Sequence, residues 1–186
     1  MSPPENPAVP RTVPRTRPVD ARMLRTVCGL FVTGVTVITS GRDGTAGGTT
    51  VNSFTSVSLD PPLVLFCLHK RSRLRPVVEE SGAYVVNFLA GQQESLARSF
   101  AARDAAVMRS VTSHPSVTGV PVLSEALAFL SCELADTFDG GDHAIFLGRV
   151  VQLGVPRENQ DPLVFFRGTL GALEEEAAGL HPIFDG

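Results

Sequence analysis

Short apolar segments separated by turn residues recur along the chain, and most of them have the composition of β-strands. β-Branched and aromatic residues dominate these segments, and such residues favour the pleated, half-buried surface of a sheet. The pattern predicts strands at Val35–Thr39, Thr49–Phe54, Leu63–Leu68, Ala83–Leu89, Ala126–Phe138, Ala144–Leu153 and Leu163–Phe166.

Helical spacing of apolar residues occurs in three places. The first predicted helix follows Asp20, a suitable N-cap, and ends at Gly34. The second runs from Ser72 to Ser81, with Pro76 near its first turn, where proline is tolerated. The third runs from Gln92 to Ala101. The apolar positions of the first helix are Met23, Leu24, Val27, Leu30 and Phe31.

Two glycine-containing turns join neighbouring strands directly. Gly41–Gly44 and Gly140–Gly141 each predict a hairpin. Residues 103–121 show no clear periodicity and are interpreted as a long connection. Because hairpins rather than helices join several strands, the chain is predicted to be mainly β. The expected fold is an antiparallel barrel or sandwich with a few helices, not a doubly wound parallel sheet.

Composition narrows the class of protein. The 186 residues, 43% of them hydrophobic, are enough for one domain with a sizeable core and exclude global disorder. A net charge of −3 argues against nucleic acid as the main partner. No apolar run approaches the ~20 residues of a membrane span, and no secretory signal is evident near the first residues. We therefore expect a soluble, cytoplasmic protein that does not bind a membrane.

The cysteines and histidines give no metal-binding pattern. Cys28, Cys67 and Cys132 are widely spaced among apolar neighbours and form no CxxC pair, so they are interpreted as packing residues. The four histidines are scattered and form no HExxH motif. No metal is predicted.

The two ends of the chain differ from its middle. Residues 1–19 hold six of the fourteen prolines together with three arginines, which is typical of a disordered tail. A basic arm for an anionic partner is the alternative. Residues 172–186 include Glu174–Glu176 and are expected to form a C-terminal tail, either a short helix or a frayed end. The folded domain is therefore predicted to span residues 20–171.

Hydroxyl and amide side chains are concentrated in one segment, Thr49–Ser58, with Val51, Phe54 and Val57 interleaved. At the edge of a barrel, this mixture offers hydrogen bonds to the rim of a flat heteroaromatic ligand and apolar contact to its face. An exposed Ser/Thr strand, common in antiparallel sheets, explains the same spacing equally well.

A cationic turn, His69–Arg75, follows a predicted buried strand and enters a helix N-terminus. Free backbone N–H groups, the helix dipole, the Ser72 hydroxyl and guanidinium groups all favour a phosphate at such a position. The alternative is a solvated cationic turn, which most charge runs are.

Other signatures of catalysis are missing. Asp142 and His143 are adjacent beside the Gly140–Gly141 turn, but a lone histidine there is more often structural than catalytic. The chain has no GxSxG nucleophile motif, no GxGxxG and no GxxxxGK[ST]. A bound nucleotide would therefore be held without a Rossmann crossover or a P-loop.

Taken in order, several segments resemble the flavin reductase-like family, which includes the reductase components of two-component flavin-dependent monooxygenases. The resemblance covers about residues 21–171. It rests on Phe31–Thr39 (the family's FATGVTVVT), Thr50–Leu63 (its flavin segment), Tyr84–Asn87 (FAVN), Ser99–Ala101 (RFA) and Gly141–His143 (GDH).

The resemblance implies an antiparallel Greek-key split β-barrel of the FMN-binding type. The implied flavin contacts are Thr50, Val51, Asn52, Ser53, Phe54, Ser56, Val57, Cys67, Leu68, Phe100 and Ala101. Ser72 and Arg73 would hold the flavin phosphate, with Arg71 as a helper. His143 would position the nicotinamide, and Arg167 would approach the same region.

The implied activity is that of an NAD(P)H-dependent flavin reductase, enzyme class EC 1.5.1.-. Such an enzyme transfers hydride from NADH or NADPH to FMN or FAD and supplies reduced flavin to a separate monooxygenase. Members of the family are expected to be homodimers. One alternative is a barrel that keeps flavin as a fixed prosthetic group or sensor, without reductase activity on free flavin. Another is a non-enzymatic barrel that binds a partner protein or RNA.

Two positions depart from the family pattern. Gly47 stands where the family often has histidine, and Leu170 stands where an aromatic residue is common. Both departures concern how flavin or nicotinamide is clamped. The choices between FMN and FAD and between NADH and NADPH therefore stay open at this point.

Overall fold

Twelve β-strands and four α-helices form the part of the chain described by a computed structural model, which is residues 19–42, 44–102, 106–157 and 159–173. The helices are α1 (Ala21–Cys28), α2 (Leu74–Ser81), α3 (Glu94–Ala101) and α4 (Val107–Ser110), with a 3₁₀ turn at Gly91–Gln93. The strands are β1 (Thr33–Gly34), β2 (Thr36–Ser40), β3 (Gly47–Val51), β4 (Thr55–Leu59), β5 (Pro62–His69), β6 (Ala83–Phe88), β7 (Ser113–Pro115), β8 (Pro121–Leu123), β9 (Ala128–Gly140), β10 (His143–Gly154), β11 (Leu163–Phe166) and β12 (Thr169–Ala172). No helix among the described residues is long and apolar enough to cross a lipid bilayer.

The main sheet has seven antiparallel strands in the order β3-β2-β6-β9-β10-β5-β4. Hairpins join β2 to β3 and β9 to β10, as the turn residues predict, and a third hairpin, which the sequence analysis did not predict, joins β4 to β5. The consecutive strands β3 and β4 lie at opposite edges of this sheet, so the short link between them brings the two edges together. The mainly β, antiparallel fold class predicted from the sequence is confirmed.

Large apolar side chains fill the interior enclosed by the main sheet. Alternate residues of β5 are buried, including Val64, Phe66 and Leu68, as expected for a strand with one face on a core. Phe66 stacks on Phe146 of β10 with 5.1 Å between ring centroids and meets Tyr84 of β6 edge-on at 4.7 Å. These contacts join three neighbouring strands through one aromatic cluster.

A second apolar cluster lies on the other face of β2, where α3, α4 and β8 cover the sheet. Val37, Ala97, Phe100 and Leu123 are buried in it. Asn87 of β6 is fully buried there and makes three hydrogen bonds, through its amide nitrogen to the Val37 carbonyl and the Thr39 hydroxyl and through its oxygen from the Leu123 N–H. The side chain therefore satisfies its polar atoms while tying β8 to the sheet.

The first helix is shorter than predicted. Asp20 caps it as expected, its carboxylate accepting from the Met23 N–H at 2.7 Å, but α1 ends at Cys28 with Gly29 as C-cap. Gly34 belongs to β1 and does not terminate the helix. No side chain of α1 is fully buried, and Leu24 and Val27 on its apolar face are more than half exposed.

The prediction of a long connection at residues 103–121 is wrong for its described part. That stretch contains α4 and β7, and β7 pairs with β8 in a small antiparallel ribbon. At the other end, β12 extends to Ala172 and pairs with β11, so ordered structure crosses the expected limit at residue 171. The predicted tails lie mostly outside the described residues, which exclude 1–18 and 174–186.

Candidate functional site

A cavity of about 540 Å³ opens between β3, the end of β5, the start of α2 and the helices α3 and α4. Ten of the sixteen residues predicted to form the site line it, which are Thr50, Val51, Asn52, Ser53, Cys67, Leu68, Ser72, Arg73, Phe100 and His143. The hydroxyl-rich strand and the cationic turn, far apart in sequence, therefore face one shared space.

The wall formed by β3 and its link to β4 is held by hydrogen bonds from its own hydroxyl groups. Thr50 donates its hydroxyl to the Ala97 carbonyl of α3 at 2.7 Å, and Asn52 donates its amide to the Thr33 hydroxyl at 3.2 Å. Ser53 binds both backbone groups of Cys67, donating to the carbonyl at 3.1 Å and accepting from the N–H at 3.0 Å. Some of the polar side chains of this segment are therefore engaged in hydrogen bonds within the protein that hold the cavity wall in place.

Glycine brings the aromatic side of the cavity close to this wall. A Cβ at Gly48 would lie 2.7 Å from Cε1 of Phe100, so the absence of a side chain lets the Phe100 ring lie directly against β3. Gly47, the first family departure, also lines the cavity. The wall is consequently smooth and apolar on one side, a surface suited to a flat ring.

The turn between β5 and α2 forms the cationic end of the cavity. Its backbone is fixed by the Ser72 N–H, which donates to the His69 carbonyl at 2.7 Å. The Ser72 hydroxyl oxygen accepts from the Leu74 N–H at 3.3 Å. Arg73 occupies the N-cap position of α2 and makes no side-chain capping bond there. The positive end of the α2 dipole, a hydroxyl and a guanidinium group thus meet at one place, as an anionic group requires.

His143 lies at the end of the cavity beside the β9–β10 turn. Its Nδ1 is 2.7 Å from Oδ1 of Asp142. This hydrogen bond, followed by the charge of His143, holds the pKa of Asp142 below its usual value. Nearby, Lys70 forms a 2.6 Å ion pair with Asp139, and the pKa of Asp139 is lowered by the Lys70 hydrogen bond, the Gly141 N–H and the Lys70 charge.

Cys67 is a packing residue in the cavity wall rather than a reactive thiol. Burial raises the pKa of Cys67, and its hydrogen bond with Ser53 only partly offsets this effect. A thiol with a raised pKa is a weak nucleophile at neutral pH. Groups of three or more residues able to ligate a metal do not occur among the described residues.

The cavity fits a flavin nucleotide by its own chemistry. An apolar wall, hydroxyl and amide side chains, and a cationic end at a helix N-terminus together suit an isoalloxazine ring that carries a phosphate. The model of the flavin reductase-like domain family matches residues 28–174. The chain belongs to this family.

Three relatives show where the chain stands among flavin reductases. It is 42% identical over 158 residues to the reductase subunit HsaB of a flavin-dependent monooxygenase from Rhodococcus jostii, covering 85% of this chain and 80% of the relative. It is 38% identical over 156 residues to an NADH-dependent flavin reductase from a Rhodococcus species, covering 81% and 85%.

The third relative is a solved structure. The NADH:FAD oxidoreductase of Streptomyces globisporus C-1027, in complex with NAD and FAD fragments, superposes with a TM-score of 0.82 at 35% identity, and the match covers 89% of this chain and 100% of that one. These findings confirm the predicted family, and they support the flavin reductase over the alternative of a barrel without reductase activity.

Six predicted site residues do not line the main cavity in the single chain. Phe54 points into the core and meets Phe88 edge-on at 5.0 Å, so it supports the wall from behind. The other five are exposed, which are Ser56, Val57, Arg71, Ala101 and Arg167. Spacing along a motif does not reveal which way each side chain points. The predicted contacts of these residues with flavin, and of Arg167 with the nicotinamide region, stay predictions.

A smaller hollow of about 230 Å³ lies on the other side of β3. Thr50, Val51 and Asn52 line both spaces, and Ala101 lines only the smaller one. Leu170, the second family departure, also lines this smaller hollow. The start of the predicted flavin segment, Thr50–Asn52, therefore borders a cavity on each side of β3.

Sequence reasoning missed several residues of the main cavity. Val77 of α2 and Met108 and Arg109 of α4 line it. Helical spacing gave a signal for Val77, whereas α4 is too short to produce one. His69 also lines the cavity, and the sequence analysis named it only as the first residue of the cationic turn.

Proposed function

We propose that this protein uses NADH to reduce FMN or FAD and passes the reduced flavin to a separate monooxygenase. The observation that carries the proposal is the single cavity shared by Asn52, Ser72 and His143. The names of the relatives support NADH as the donor and a monooxygenase as the recipient. NADPH is the alternative donor.

The residues of the cavity have distinct tasks in this proposal. Ser72, Arg73 and the N-terminus of α2 bind the flavin phosphate, while Val51 and Phe100 contact the ring. Hydride transfer between nicotinamide and flavin is chemistry that the two nucleotides supply when bound. The protein holds them in order and excludes water, and His143 positions the nicotinamide. An acid–base pair is therefore not required.

The test is an assay that follows the oxidation of NADH and of NADPH by absorbance, with FMN, FAD and riboflavin each titrated. We expect NADH oxidation that saturates with added flavin. Negligible oxidation by protein that retains a stoichiometric flavin through purification contradicts the proposal, because flavin would then be a fixed group. Protein without flavin affinity contradicts it as well.

A homodimer is the proposed assembly. An apolar surface, here called the α1 patch, consists of Leu24, Val27, Leu30, Phe31 and Val32, and each of these side chains is at least half exposed. The Arg167 N–H donates to the Gly29 carbonyl at 2.9 Å and so fixes the end of α1 to the β11–β12 turn. Contiguous exposed apolar surface of this kind is typical of interfaces, and a second copy of the chain is the proposed occupant.

A cytoplasmic location and membership of enzyme class EC 1.5.1.- belong to the same proposal. The three cysteines are free, in keeping with a reducing compartment. A supply of NADH is also required.

A further inference from the structure

Two histidine rings meet at the end of the cavity. His69 of β5 and His143 of β10 are direct partners in the antiparallel register, with ring centroids 5.3 Å apart and planes at 75°. Both rings line the cavity. The family motif draws attention only to His143, and nothing in it assigns a role to His69.

The hydrogen bond at His69 determines where its ring carries a proton. The Arg71 backbone N–H donates to Nδ1 of His69 at 3.0 Å. Nδ1 must therefore provide a lone pair, and the neutral ring carries its hydrogen on Nε2. His69 is thus held as the tautomer whose Nε2–H is a hydrogen-bond donor.

The hydrogen bond at His143 has the opposite effect. Its Nδ1 faces Oδ1 of Asp142 at 2.7 Å, and an exposed carboxylate is an acceptor only. Nδ1 of His143 therefore carries the hydrogen, and Nε2 of the neutral ring provides the lone pair. A backbone hydrogen bond from the Lys70 N–H to the Asp142 carbonyl, 2.9 Å long, joins the turn after His69 to the turn before His143.

In their neutral forms the two contacting rings carry one donor, the Nε2–H of His69, and one acceptor, the Nε2 lone pair of His143. A primary carboxamide carries the complementary pair, a carbonyl oxygen that accepts and an NH₂ group that donates. We propose that His69 and His143 together bind the carboxamide of the nicotinamide ring. His69 donates from Nε2 to the carboxamide oxygen, and the carboxamide NH₂ donates to Nε2 of His143. The inference rests on the proposed function, since it names the contacts of the nicotinamide substrate.

The consequence is that His69 is a substrate-binding residue that sets the orientation of the nicotinamide. Two hydrogen bonds to one planar group fix its rotation, whereas one bond leaves it free to turn. His69 acts on binding and not on the chemical step, so its loss should alter KM for NADH more than kcat.

The test uses NADH and reduced 3-acetylpyridine adenine dinucleotide, in which a methyl group replaces the NH₂ and the carbonyl is kept. Steady-state KM is measured for the wild type and every variant in the same buffer. His69→Phe should raise KM about fivefold for both dinucleotides, the effect of one lost hydrogen bond. His143→Phe should raise KM for NADH and leave KM for the analogue nearly unchanged, because the analogue has no NH₂ to lose.

Calorimetric binding of NAD⁺ and its oxidised 3-acetylpyridine analogue gives a second readout without turnover, and the same pattern is expected in Kd. His69→Gln keeps an N–H donor and should retain most of the affinity. His114→Phe is the matched control, because His114 lies on β7 against Phe129 and does not line the cavity.

Two results overturn the inference. One is a KM and Kd that do not change in His69→Phe, and the other is an equal response of both dinucleotides to His143→Phe. Failure of the wild-type protein to oxidise NADH with any flavin overturns the proposed function instead, so the two failures are distinguishable.

Discussion

Gly148 lies on β10 where the buried Tyr84 side chain reaches across the barrel interior. A Cβ at Gly148 would contact the Tyr84 hydroxyl and lie 2.6 Å from its Cζ. Tyr84 is fully buried, and its hydroxyl has no nitrogen or oxygen partner among the described residues. Burial raises the pKa of Tyr84 above its ordinary value and that of neighbouring Cys132 to about 12, so both groups stay neutral.

Gly148→Ala is therefore expected to destabilise the protein by overpacking. The free energy of unfolding should fall by about 1–3 kcal/mol, measured by chemical denaturation. Adding Tyr84→Phe removes the atom nearest the new methyl group and should restore part of the loss. Gly171→Ala is the control, because a Cβ at Gly171 meets nothing within 4 Å, and an equal loss there would contradict this account.

At the scale of elements, the N-terminus of α2 carries the proposed phosphate site. Arg73→Gln should raise KM for FMN about tenfold or more, the effect of losing a charge-assisted hydrogen bond. KM for riboflavin should stay the same, because riboflavin has no phosphate. Both constants come from the same NADH oxidation assay.

Arg75→Gln is the matched control for this experiment. Arg75 lies in the first turn of α2, pairs with Glu79 at 2.8 Å and does not line the cavity. An equal loss for FMN and riboflavin in Arg73→Gln, or an effect of the same size in Arg75→Gln, would place the phosphate elsewhere.

The β9–β10 hairpin contributes a pH-dependent element to stability. The folded state lowers the pKa of Asp139, so its ion pair with Lys70 stabilises the fold above the carboxyl pKa of the unfolded chain, about 4. That contribution is lost as pH falls through the lower, folded-state pKa. The melting temperature of Asp139→Asn should lie below that of the wild type at neutral pH, and the difference should vanish in acid.

Both partners are exposed, so the effect is small and is screened by salt. Lys70→Gln serves as the control for the pair. In the double variant Asp139→Asn with Lys70→Gln, the loss should be smaller than the sum of the two single losses. A difference that persists unchanged in acid would show that the Asp139 charge is not its cause.

Elements that bury many alternating residues are the ones that the sequence predicts well. β5 contains the unbroken apolar run Leu63–Leu68 and β10 is long and mostly apolar, and alternate residues of both strands are buried in the structure. α4 and β7 have four and three residues, which is too short for any period. The spacing in α1 predicts the helix but not whether its apolar face packs within the chain or against another molecule.

At the scale of the whole molecule, the α1 patch determines the proposed assembly. Phe31 is 74% exposed at its end, and burying such a side chain is worth about 1.5–3 kcal/mol. We expect the wild type to sediment as a dimer and Phe31→Glu to shift it toward monomer, since a buried unpaired charge opposes association. Sedimentation velocity over a range of concentrations measures the change.

Val117→Glu is the control for this change. Val117 is 67% exposed on the β7–β8 connection, in a different region of the chain from α1. The variant should remain dimeric. A monomeric wild type, or equal dissociation in both variants, contradicts the proposed interface.

The sequence predicted two segments of the candidate site, but it did not predict how they come together around one cavity. Its strand and cationic turn were identifiable because they have unusual compositions at Thr49–Ser58 and His69–Arg75. The contact between His69 and His143 depends on the register of β5 against β10, which no local pattern specifies. Arg109 was missed because tertiary packing alone brings it to the cavity.

The paired hydrogen bonds of Ser53 to Cys67 have a mechanical consequence for the fold. β3 and β4 are the two edge strands of the seven-stranded sheet, and Ser53 lies in the link between them. Its hydroxyl binds this link to β5. A residue at position 53 without a side-chain oxygen would leave the N–H and C=O groups of Cys67 to bind water instead. Ser53 and Cys67 both line the main cavity, so that part of the cavity wall would lose the bonds that hold its two sides at a fixed separation.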